Sequence, residues 1–424
     1  MDQQGLPARR SAHEMMMQII GEGRLLSELI ASGFLSRRDP DDRARAQRLA
    51  TDALRGLDRA DRMLKPYLKK TPPLHVMNAL RLGTLELCTG EAPHGVVNAY
   101  VEIVARNKRT AAMKGLVNAV LRKIADEGPG IWDTRPVPLT PGWLRKPLVA
   151  AWGREATEAI EAAHFAGAPL DLTAKGDAQA VADAVGGRLL PTGSVRVQGA
   201  GQVSALQGYE TGDWWVQDAA AAIPVRLLGN VSDLSVLDLC AAPGGKTLQL
   251  AAGGACVTAV DVSDRRMTRV SDNLDRTGLK ARTVVGDALA FDERGFDAVL
   301  LDAPCSATGT IRRHPDLPYA KDGSEFGALI DQQAAMIDHA LDLLKPGGRL
   351  LFCTCSLLPD EGEVQVEEAL GRHPGVLVEP HAADLQGVDP AWRTPEGGLR
   401  LRPDYWPEHG GMDGFYIAVL RKPA

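Results

Sequence analysis

Two patterns of hydrophobic and polar positions divide this chain of 424 residues. From residue 8 to about residue 127, apolar side chains recur at the spacing of an amphipathic helix. The clearest example places on one helical face Leu116, Val117, Val120, Leu121 and Ile124. Turn signals divide the stretch into roughly five helices, and Gly128-Pro-Gly130 is expected to end the last one. The pattern predicts an all-α domain at the N-terminus.

From Val236 onward, short apolar runs alternate with helical stretches. The runs are Val236–Leu239, Val257–Val260, Thr283–Val285, Ala298–Leu301 and Arg349–Phe352. This alternation predicts an α/β fold with a doubly wound parallel sheet, and Gly414–Lys422 predicts a final strand at or near the sheet edge. Ligands are expected at the carboxyl ends of these strands.

A stretch of mixed character joins the two patterns. Arg135–Pro141 is too rich in proline to continue a helix and is expected to be a linker. Residues 142–215 combine a helix over Trp152–Ala163 with alternating runs such as Gly193–Gln198. Three domains are predicted, namely an all-α domain with its linker over residues 1–135, a small α+β subdomain over 136–215 and a Rossmann-like α/β domain over 216–424.

Composition narrows the class of protein. With 45% hydrophobic and 24% charged residues the chain is expected to be globular, and no apolar stretch approaches the roughly 18 residues of a membrane span. Six cysteines are too few for a disulfide scaffold, and the first residues lack the pattern of a secretion signal. A cytoplasmic protein without a membrane partner is expected.

Charge is distributed unevenly along the chain. Residues 1–150 contain 24 Lys and Arg against 16 Asp and Glu, a balance of +8, whereas the remainder balances to −14. The densest basic cluster, Arg106-Asn-Lys-Arg109 with Lys114, is of the kind that attracts a phosphate backbone. Short basic runs are also common at solvated helix ends, and charge alone favours that second interpretation.

The segment Asp238-Leu-Cys-Ala-Ala-Pro-Gly-Gly-Lys246 lies where the first strand should turn into a helix. Its small residues let backbone N–H groups approach a ligand closely. The segment is not a phosphate loop, because Cys240 occupies the position of the leading glycine, and it lacks the Gly-x-Gly-x-x-Gly of a dinucleotide site.

Acidic residues end the strands that follow, at Asp261, Asp287 and Asp302. Each one alone is better explained by a helix cap or a turn. Together they favour an adenosine ligand without a polyphosphate, because a carboxylate can accept hydrogen bonds from ribose hydroxyls or from an adenine amino group. S-adenosylmethionine fits this description.

Two cysteines end apolar runs at small polar turns, Cys305 in Leu301-Asp-Ala-Pro-Cys-Ser306 and Cys355 in Gly348–Ser356. Both are therefore expected to face one pocket. The other thiols are expected to be packing residues or, for Cys240, to contribute backbone, and they are Cys88, Cys240, Cys256 and Cys353. No metal is expected, because no Cys-x-x-Cys pair supplies the usual zinc spacing.

The motifs resemble those of the bacterial 16S ribosomal RNA cytosine-5 methyltransferases of the Fmu/Sun type, which are related to the eukaryotic Nol1/Nop2/Sun proteins. The helical N-terminal region is similar to the antitermination factor NusB. The resemblance covers nearly the whole chain and is carried by Lys114–Lys123, Val216–Ala219, Asp238–Lys246, Asp302–Ser306, Cys353–Ser356 and Gly411–Phe415.

This resemblance implies a Rossmann-like S-adenosylmethionine-dependent methyltransferase domain, a NusB-like RNA-binding domain, and a monomeric enzyme that acts on 16S ribosomal RNA and not on DNA. It implies cofactor binding by Cys240, Ala241, Ala242, Pro243, Gly244, Gly245, Lys246, Asp261, Arg266, Asp287 and Asp302. One departure concerns the strand after Pro169. The family usually has an RNA-holding arginine there, whereas this chain reads Leu170-Asp-Leu-Thr-Ala-Lys175, with Lys175 as a weaker substitute.

The chemistry implied for the two thiols is covalent. Carbon 5 of cytosine becomes nucleophilic only when a thiolate adds to carbon 6, and the resemblance assigns this attack to Cys355. Asp302 is expected to bind the N3/N4 edge of the base, and Cys305 to remove the hydrogen of carbon 5, directly or through water.

Chemistry alone leaves the opposite assignment of the thiols open, because DNA cytosine-5 methyltransferases attack with the cysteine of their Pro-Cys motif. Two further functions stay open as alternatives. One is cytosine-5 methylation of transfer RNA, and the other is a non-catalytic RNA-binding scaffold.

Overall fold

The computed structural model describes residues 5–379 and 385–424. The chain forms two compact units. The first contains the residues up to Gly167 together with Ile311–Asp322, and the second contains Ala168–Thr310 and Gly323–Ala424. No helix within the described residues is both long and apolar enough to cross a membrane.

The first unit is helical, as predicted. Its main helices are α1 (Leu6–Glu22), α2 (Leu26–Ala31), α3 (Pro40–Arg55), α4 (Leu57–Leu64), α5 (Leu74–Cys88), α6 (Pro93–Arg106), α7 (Lys114–Trp132) and α8 (Gly142–Ala166). One buried cluster of aliphatic side chains and Trp132 runs through α1 to α7. The amphipathic spacing of the sequence therefore produces a single core with most charged positions outside it, and the buried ion pair of Arg9 with Glu86 is an exception.

The end of α7 differs from the prediction. The helix continues through Gly128-Pro-Gly130 to Trp132, although proline removes one helical hydrogen bond. Tertiary packing explains the difference, because Trp132 is buried and lies beneath the guanidinium of Arg59, 5.4 Å from the ring centroid. A side chain at position 128 would come within 3.0 Å of Cys88 Sγ. The packing of the last helical turn outweighs the tendency of Gly128-Pro-Gly130 to end the helix.

The remaining helices are α9 (Ala178–Val185), α10 (Ala219–Leu227), α11 (Gly245–Ala252), α12 (Asp264–Thr277), α13 (Leu317–Ala320), α14 (Phe326–Leu343) and α15 (Glu363–Arg372). The short α13 belongs to the segment Ile311–Asp322, which packs in the first unit. Asp316 accepts a hydrogen bond from the Leu26 N–H at 2.7 Å, and the Pro318 carbonyl accepts one from Trp143 Nε1 at 3.0 Å. The chain thus enters the helical unit six residues after Cys305.

The second unit contains two sheets. The smaller is antiparallel, in the order β2-β3-β1-β4. Its strands are β1 (Leu170–Ala174), β2 (Arg188–Leu189), β3 (Val195–Val197) and β4 (Trp214–Val216). The larger sheet has the order β10-β12-β9-β8-β5-β6-β7, and β11 also pairs with β12. Its strands are β5 (Ser235–Leu239), β6 (Cys256–Asp261), β7 (Arg282–Val285), β8 (Phe296–Asp302), β9 (Leu344–Thr354), β10 (Leu377–Val378), β11 (Leu399–Leu401) and β12 (Phe415–Arg421).

The strands β7, β6, β5, β8 and β9 are parallel, with β7 at the edge, which confirms the predicted doubly wound sheet. The strands β6, β5, β8 and β9 are mostly buried on both faces, whereas β7 is largely exposed. Val236 and Leu351 belong to one core cluster, whereas Leu237 and Leu350 belong to the other. Burial on both faces explains why these strands are continuous apolar runs in the sequence.

The order of the strands fixes where a ligand can bind. β5 lies between β6 and β8, so the chain direction across the sheet reverses between β5 and β8. In open α/β sheets the crevice at the carboxyl ends of such strands is the usual ligand site. Cys240 follows β5 and Asp302 ends β8, so the two lie on either side of this crevice.

A buried ion pair supports the smaller sheet. Arg196 on β3 donates to both oxygens of Asp171 on β1, at 2.6 and 2.7 Å, and also to the carbonyls of His409 and Gly411. Both side chains are within 1% of full burial. Burial is the largest influence on Asp171 and raises the pKa of its carboxyl group, which the Arg196 charge opposes.

Replacing Arg196 with methionine should lower the free energy of unfolding by about 3–5 kcal/mol, because it leaves the Asp171 carboxylate buried without its partner. Urea denaturation at pH 7 would measure the change. Arg282→Met is the matched control, because Arg282 pairs with Glu293 at the surface and should change little. Equal effects of the two substitutions would contradict a special role for the buried pair.

Candidate active site

The loop Cys240–Lys246 connects β5 to α11 as a tight turn. Cys240 and Gly244 both have positive φ, at 61° and 100°. The Gly244 N–H donates to the Ala241 carbonyl at 2.8 Å, and the Ala241 N–H donates to the Val260 carbonyl at 3.0 Å. A side chain at position 244 would lie 3.1 Å from the Val270 methyl groups. This position therefore needs glycine for both conformation and space.

Asp261, at the end of β6, holds this loop from the side. Its carboxylate accepts from the Ala242 N–H at 3.1 Å and from the Ser263 N–H at 2.9 Å. Arg266, about half exposed on α12, donates to the Ala242 carbonyl and has a nitrogen 3.7 Å from Asp261. Asp261 and Arg266 hold in place the backbone of the Cys240–Lys246 loop, which a cofactor would contact.

Asp287 and its apolar neighbours lie beyond Asp261 at the same edge of the sheet. One oxygen of Asp287 caps the turn through the Leu289 N–H at 3.0 Å, while its side chain is exposed. Three apolar side chains are also exposed here, at 70%, 49% and 38%, and they are Val262, Val285 and Leu289. Exposed aliphatic groups beside carboxylates fit an adenine ring and its ribose, so these residues suit the predicted S-adenosylmethionine.

Lys246 and Asp302 meet across the crevice. The Lys246 ammonium lies 2.7 Å from Asp302 Oδ2 and 5.2 Å from the centroid of the Phe415 ring. Burial, the largest single influence, disfavours the charged ammonium, but the charge and hydrogen bond of Asp302 together with the charges of Cys353 and Cys355 outweigh it and raise the pKa of Lys246. The lysine is therefore a permanent cation that orients the Asp302 carboxylate.

Cys353 completes the surroundings of Asp302. It pairs with Asp302 across the β8–β9 register, and its thiol donates to Asp302 Oδ1 at 3.4 Å. The predicted packing role is incomplete, since this buried thiol also contacts a site carboxylate. The sequence contains a signal for this contact. Residues two apart on a strand point to the same face, so Cys353 should face the same side as the site candidate Cys355.

The Sγ atoms of Cys305 and Cys355 are 3.5 Å apart. A hydrogen bond to Cys355 and burial, in that order, raise the pKa of Cys305 well above its usual range. The raised pKa favours the protonated thiol of Cys305, and either sulfur can be the donor in this contact. Burial, followed by the Asp302 charge, also raises the pKa of Cys240 to about 12, so that thiol is unreactive near neutral pH.

The structure brings the two predicted thiols to one place and brings Asp302 together with Lys246, while Asp261 and Arg266 contact the Cys240–Lys246 loop. Among the described residues, no group of three or more His, Cys, Asp or Glu side chains could hold a metal ion. Lys175, the predicted substitute for an RNA-holding arginine, donates to the Thr277 carbonyl at 2.8 Å.

Comparisons with known proteins match both parts of the chain. Residues 225–421 match the family model described as 16S rRNA methyltransferase RsmB/F, and residues 6–126 match the NusB family. The ribosomal RNA small subunit methyltransferase B of Sodalis glossinidius is 35% identical over 87% of this chain and 90% of its own length. The protein of the same name from Pseudomonas putida is 35% identical over 99% of both chains. In fold, the chain is similar to the crystal structure of PH0851, with a TM-score of 0.77, 23% identity and coverage of 100% of this chain and 99% of the other.

Proposed function

Because the chain belongs to the 16S rRNA methyltransferase RsmB/F family, we propose that it transfers a methyl group from S-adenosylmethionine to carbon 5 of a cytosine in 16S ribosomal RNA. The observation that supports this chemistry most directly is the 3.5 Å separation of the Cys305 and Cys355 sulfurs at the carboxyl edge of the sheet. Two thiols are what the reaction needs, one to form a covalent bond with the base and one to allow its release.

Cys355 makes the attack in this proposal. Its sulfur bonds to carbon 6 of the cytosine, and the electron pair of the 5,6 double bond moves so that carbon 5 can take up the methyl group. The raised pKa of Cys305 favours its protonated form, and at a sulfur–sulfur distance of 3.5 Å that thiol can donate to a Cys355 thiolate when one forms. The order of the two thiols is taken from the family resemblance, because the sulfur–sulfur contact is itself symmetric.

Asp302 binds the polar edge of the base. One of its oxygens faces Lys246 and the other faces Cys353, so the carboxylate has a fixed orientation, and its side chain is still about one-third exposed toward the crevice. A carboxylate held in this way can hydrogen-bond the N3/N4 edge of cytosine and stabilise the protonated ring as the C–S bond forms.

Cys305 acts in the release step. After transfer, carbon 5 carries both the methyl group and its original hydrogen. A base removes this hydrogen as a proton, the 5,6 double bond re-forms and the bond to Cys355 breaks. Once the Cys355 sulfur is bonded to carbon, it is a poorer hydrogen-bond acceptor. Cys305 then gives its own proton to solvent, and its thiolate, or a water beside it, accepts the proton from carbon 5.

The residues proposed to bind the cofactor lie at the same edge of the sheet. S-adenosylmethionine, when bound, supplies an electrophilic methyl group on a sulfonium sulfur. Asp261 would accept hydrogen bonds from the ribose, the outer oxygen of Asp287 would accept one from the adenine amino group, and Val262 and Val285 would contact the ring. The backbone of Cys240–Lys246 would line the rest of the molecule.

RNA binding is proposed for the helical unit. This unit includes the region that matches the NusB family, and residues 1–150 have a net charge of +8. The surplus of Lys and Arg is suited to phosphate groups, so binding should weaken as salt rises. The rest of the chain has a net charge of −14, which leaves the helical unit as the better site for a polyanion.

A strain lacking the gene should lose one 5-methylcytosine from 16S ribosomal RNA, and the purified protein should restore it in the presence of S-adenosylmethionine. Bisulfite sequencing of ribosomal and transfer RNA would measure the change, with the Cys355→Ser variant as the inactive control. Loss of a transfer RNA site instead would refute the substrate proposal. No lost site and no methyl transfer in vitro would indicate a non-catalytic scaffold.

A further inference from the structure

Glu361 lies in the segment that follows Cys355, and its side chain is fully buried. Its Oε1 accepts from the Ser306 N–H at 2.9 Å and from Gln333 Nε2 at 3.1 Å. Its Oε2 accepts from the Ser356 hydroxyl at 2.6 Å and from the Ser306 hydroxyl. Ser306 and Ser356 are the residues directly after the two site cysteines.

The contacts around Glu361 tie the two cysteine-bearing segments together. Gln333 Nε2 also donates to the Pro304 carbonyl at 2.8 Å. Thr308 Oγ lies 3.2 Å from Ser356 Oγ and 3.3 Å from Ser306 Oγ. Every residue of this network lies in the second unit. The carboxylate contacts both serines directly and is the charged group of this network.

The environment of Glu361 is unusual for a buried carboxylate. Its donors are hydroxyls, an amide and a backbone N–H, and no Lys, Arg or His within the described ranges forms an ion pair with it. A buried charge without a counter-ion opposes folding unless hydrogen bonds compensate it. Hydrogen bonds to a charged acceptor are short and strongly directional, so this arrangement fixes geometry rather than adding stability.

We propose that Glu361 is a positioning residue that clamps the Cys305 and Cys355 segments at the separation needed for methyl transfer. The inference rests on the proposed function for its chemistry. Misplacement of reacting groups by about 1 Å can cost about a hundredfold in rate. Glu361 therefore sets the rate of the covalent step while contributing nothing directly to binding of S-adenosylmethionine.

Glu361 also influences the site through its negative charge. Cys305 has a raised pKa chiefly because of its hydrogen bond to Cys355 and its burial, and the Glu361 charge adds to the effect. Loss of that charge should lower the pKa of Cys305 and weaken its preference for the protonated form. The pH profile of the reaction should therefore move to lower pH when Glu361 is neutral, which a purely structural residue would not cause.

The test uses two variants in a Cys305→Ser background, where the proposed function predicts that RNA stays attached. Glu361→Ala removes all four contacts and should slow formation of the covalent adduct about a hundredfold. Glu361→Gln has the same shape but only one acceptor oxygen, and should slow adduct formation about tenfold. Introduced alone into the enzyme with Cys305 intact, it should also shift the pH profile of methyl transfer to lower pH. The affinity for S-adenosylmethionine, measured by calorimetry, should stay within about twofold.

Glu367→Gln is the matched control, because Glu367 is an exposed carboxylate a few residues further along the chain. It should leave the rate of adduct formation unchanged. If both Glu361 variants form the adduct as fast as the Cys305→Ser protein with Glu361 intact, the inference is overturned and the proposed function still stands. Loss of cofactor affinity in Glu361→Gln would also overturn it, since the role would then be general support of the fold. Absence of adduct with Glu361 intact would instead count against the proposed function.

Discussion

Replacing Cys305 with serine should leave the protein covalently attached to its RNA, whereas replacing Cys355 with serine should abolish attachment. The Cys305 variant can still attack carbon 6 and transfer the methyl group, but serine is a poor substitute for the group that removes the remaining hydrogen. The Cys355 variant cannot form the C–S bond, and its turnover should fall roughly 10⁴-fold or more.

The measurement is the mobility of labelled RNA on a denaturing gel after incubation with S-adenosylmethionine. Cys256→Ser is the control, because Cys256 is an exposed thiol at the opposite end of β6 from Asp261. It should behave like the unaltered protein. An adduct with Cys355→Ser and none with Cys305→Ser would reverse the assignment of the two thiols.

Asp302→Asn should lower kcat by about 10²–10³-fold, the range seen when a preorganised polar group is removed from a reacting centre. The amide cannot stabilise the protonated cytosine ring. It also leaves the Lys246 ammonium without the negative charge that lies 2.7 Å away. Steady-state methyl transfer to RNA would measure the loss.

β8 offers a closely matched control for this substitution. Asp297 is also ion-paired to a lysine, Lys345, at 2.7 Å, and its side chain is 30% exposed against 32% for Asp302. It lies near the amino end of the strand, away from the crevice. Asp297→Asn should keep kcat within about twofold. Equal losses in the two variants would show that the effect of Asp302→Asn is a loss of stability and not of chemistry.

The sheet and most of its site were predictable from local patterns. The runs that became β5, β6, β8 and β9 are apolar because both faces of these strands are mostly buried, and a residue that ends such a run must lie at the carboxyl edge. Asp261, Asp302, Cys305 and Cys355 were found by this argument. The family resemblance then assigned the roles that position alone could not separate.

Features that depend on contacts between distant segments were missed. Glu361 follows Cys355 by six residues in a polar turn, and nothing local shows that it accepts hydrogen bonds from Ser306, 55 positions earlier. The continuation of α7 through Pro129 depends on Arg59 packing over Trp132. In each case the decisive interaction is tertiary, which periodicity and propensity do not encode.

The segment Ile311–Asp322 bears on the order in which the protein can fold during synthesis. Domains generally fold as units in the order in which they leave the ribosome. The helical unit cannot do so completely, because its last twelve residues are made after 143 residues of the other unit. Until Asp316 and Pro318 have been made, the hydrogen bonds that they accept from the Leu26 N–H and the Trp143 indole cannot form. A nascent chain whose synthesis stops between Ala168 and Thr310 therefore has neither unit complete. Both units would then expose apolar surface of the kind that quality-control proteins recognise.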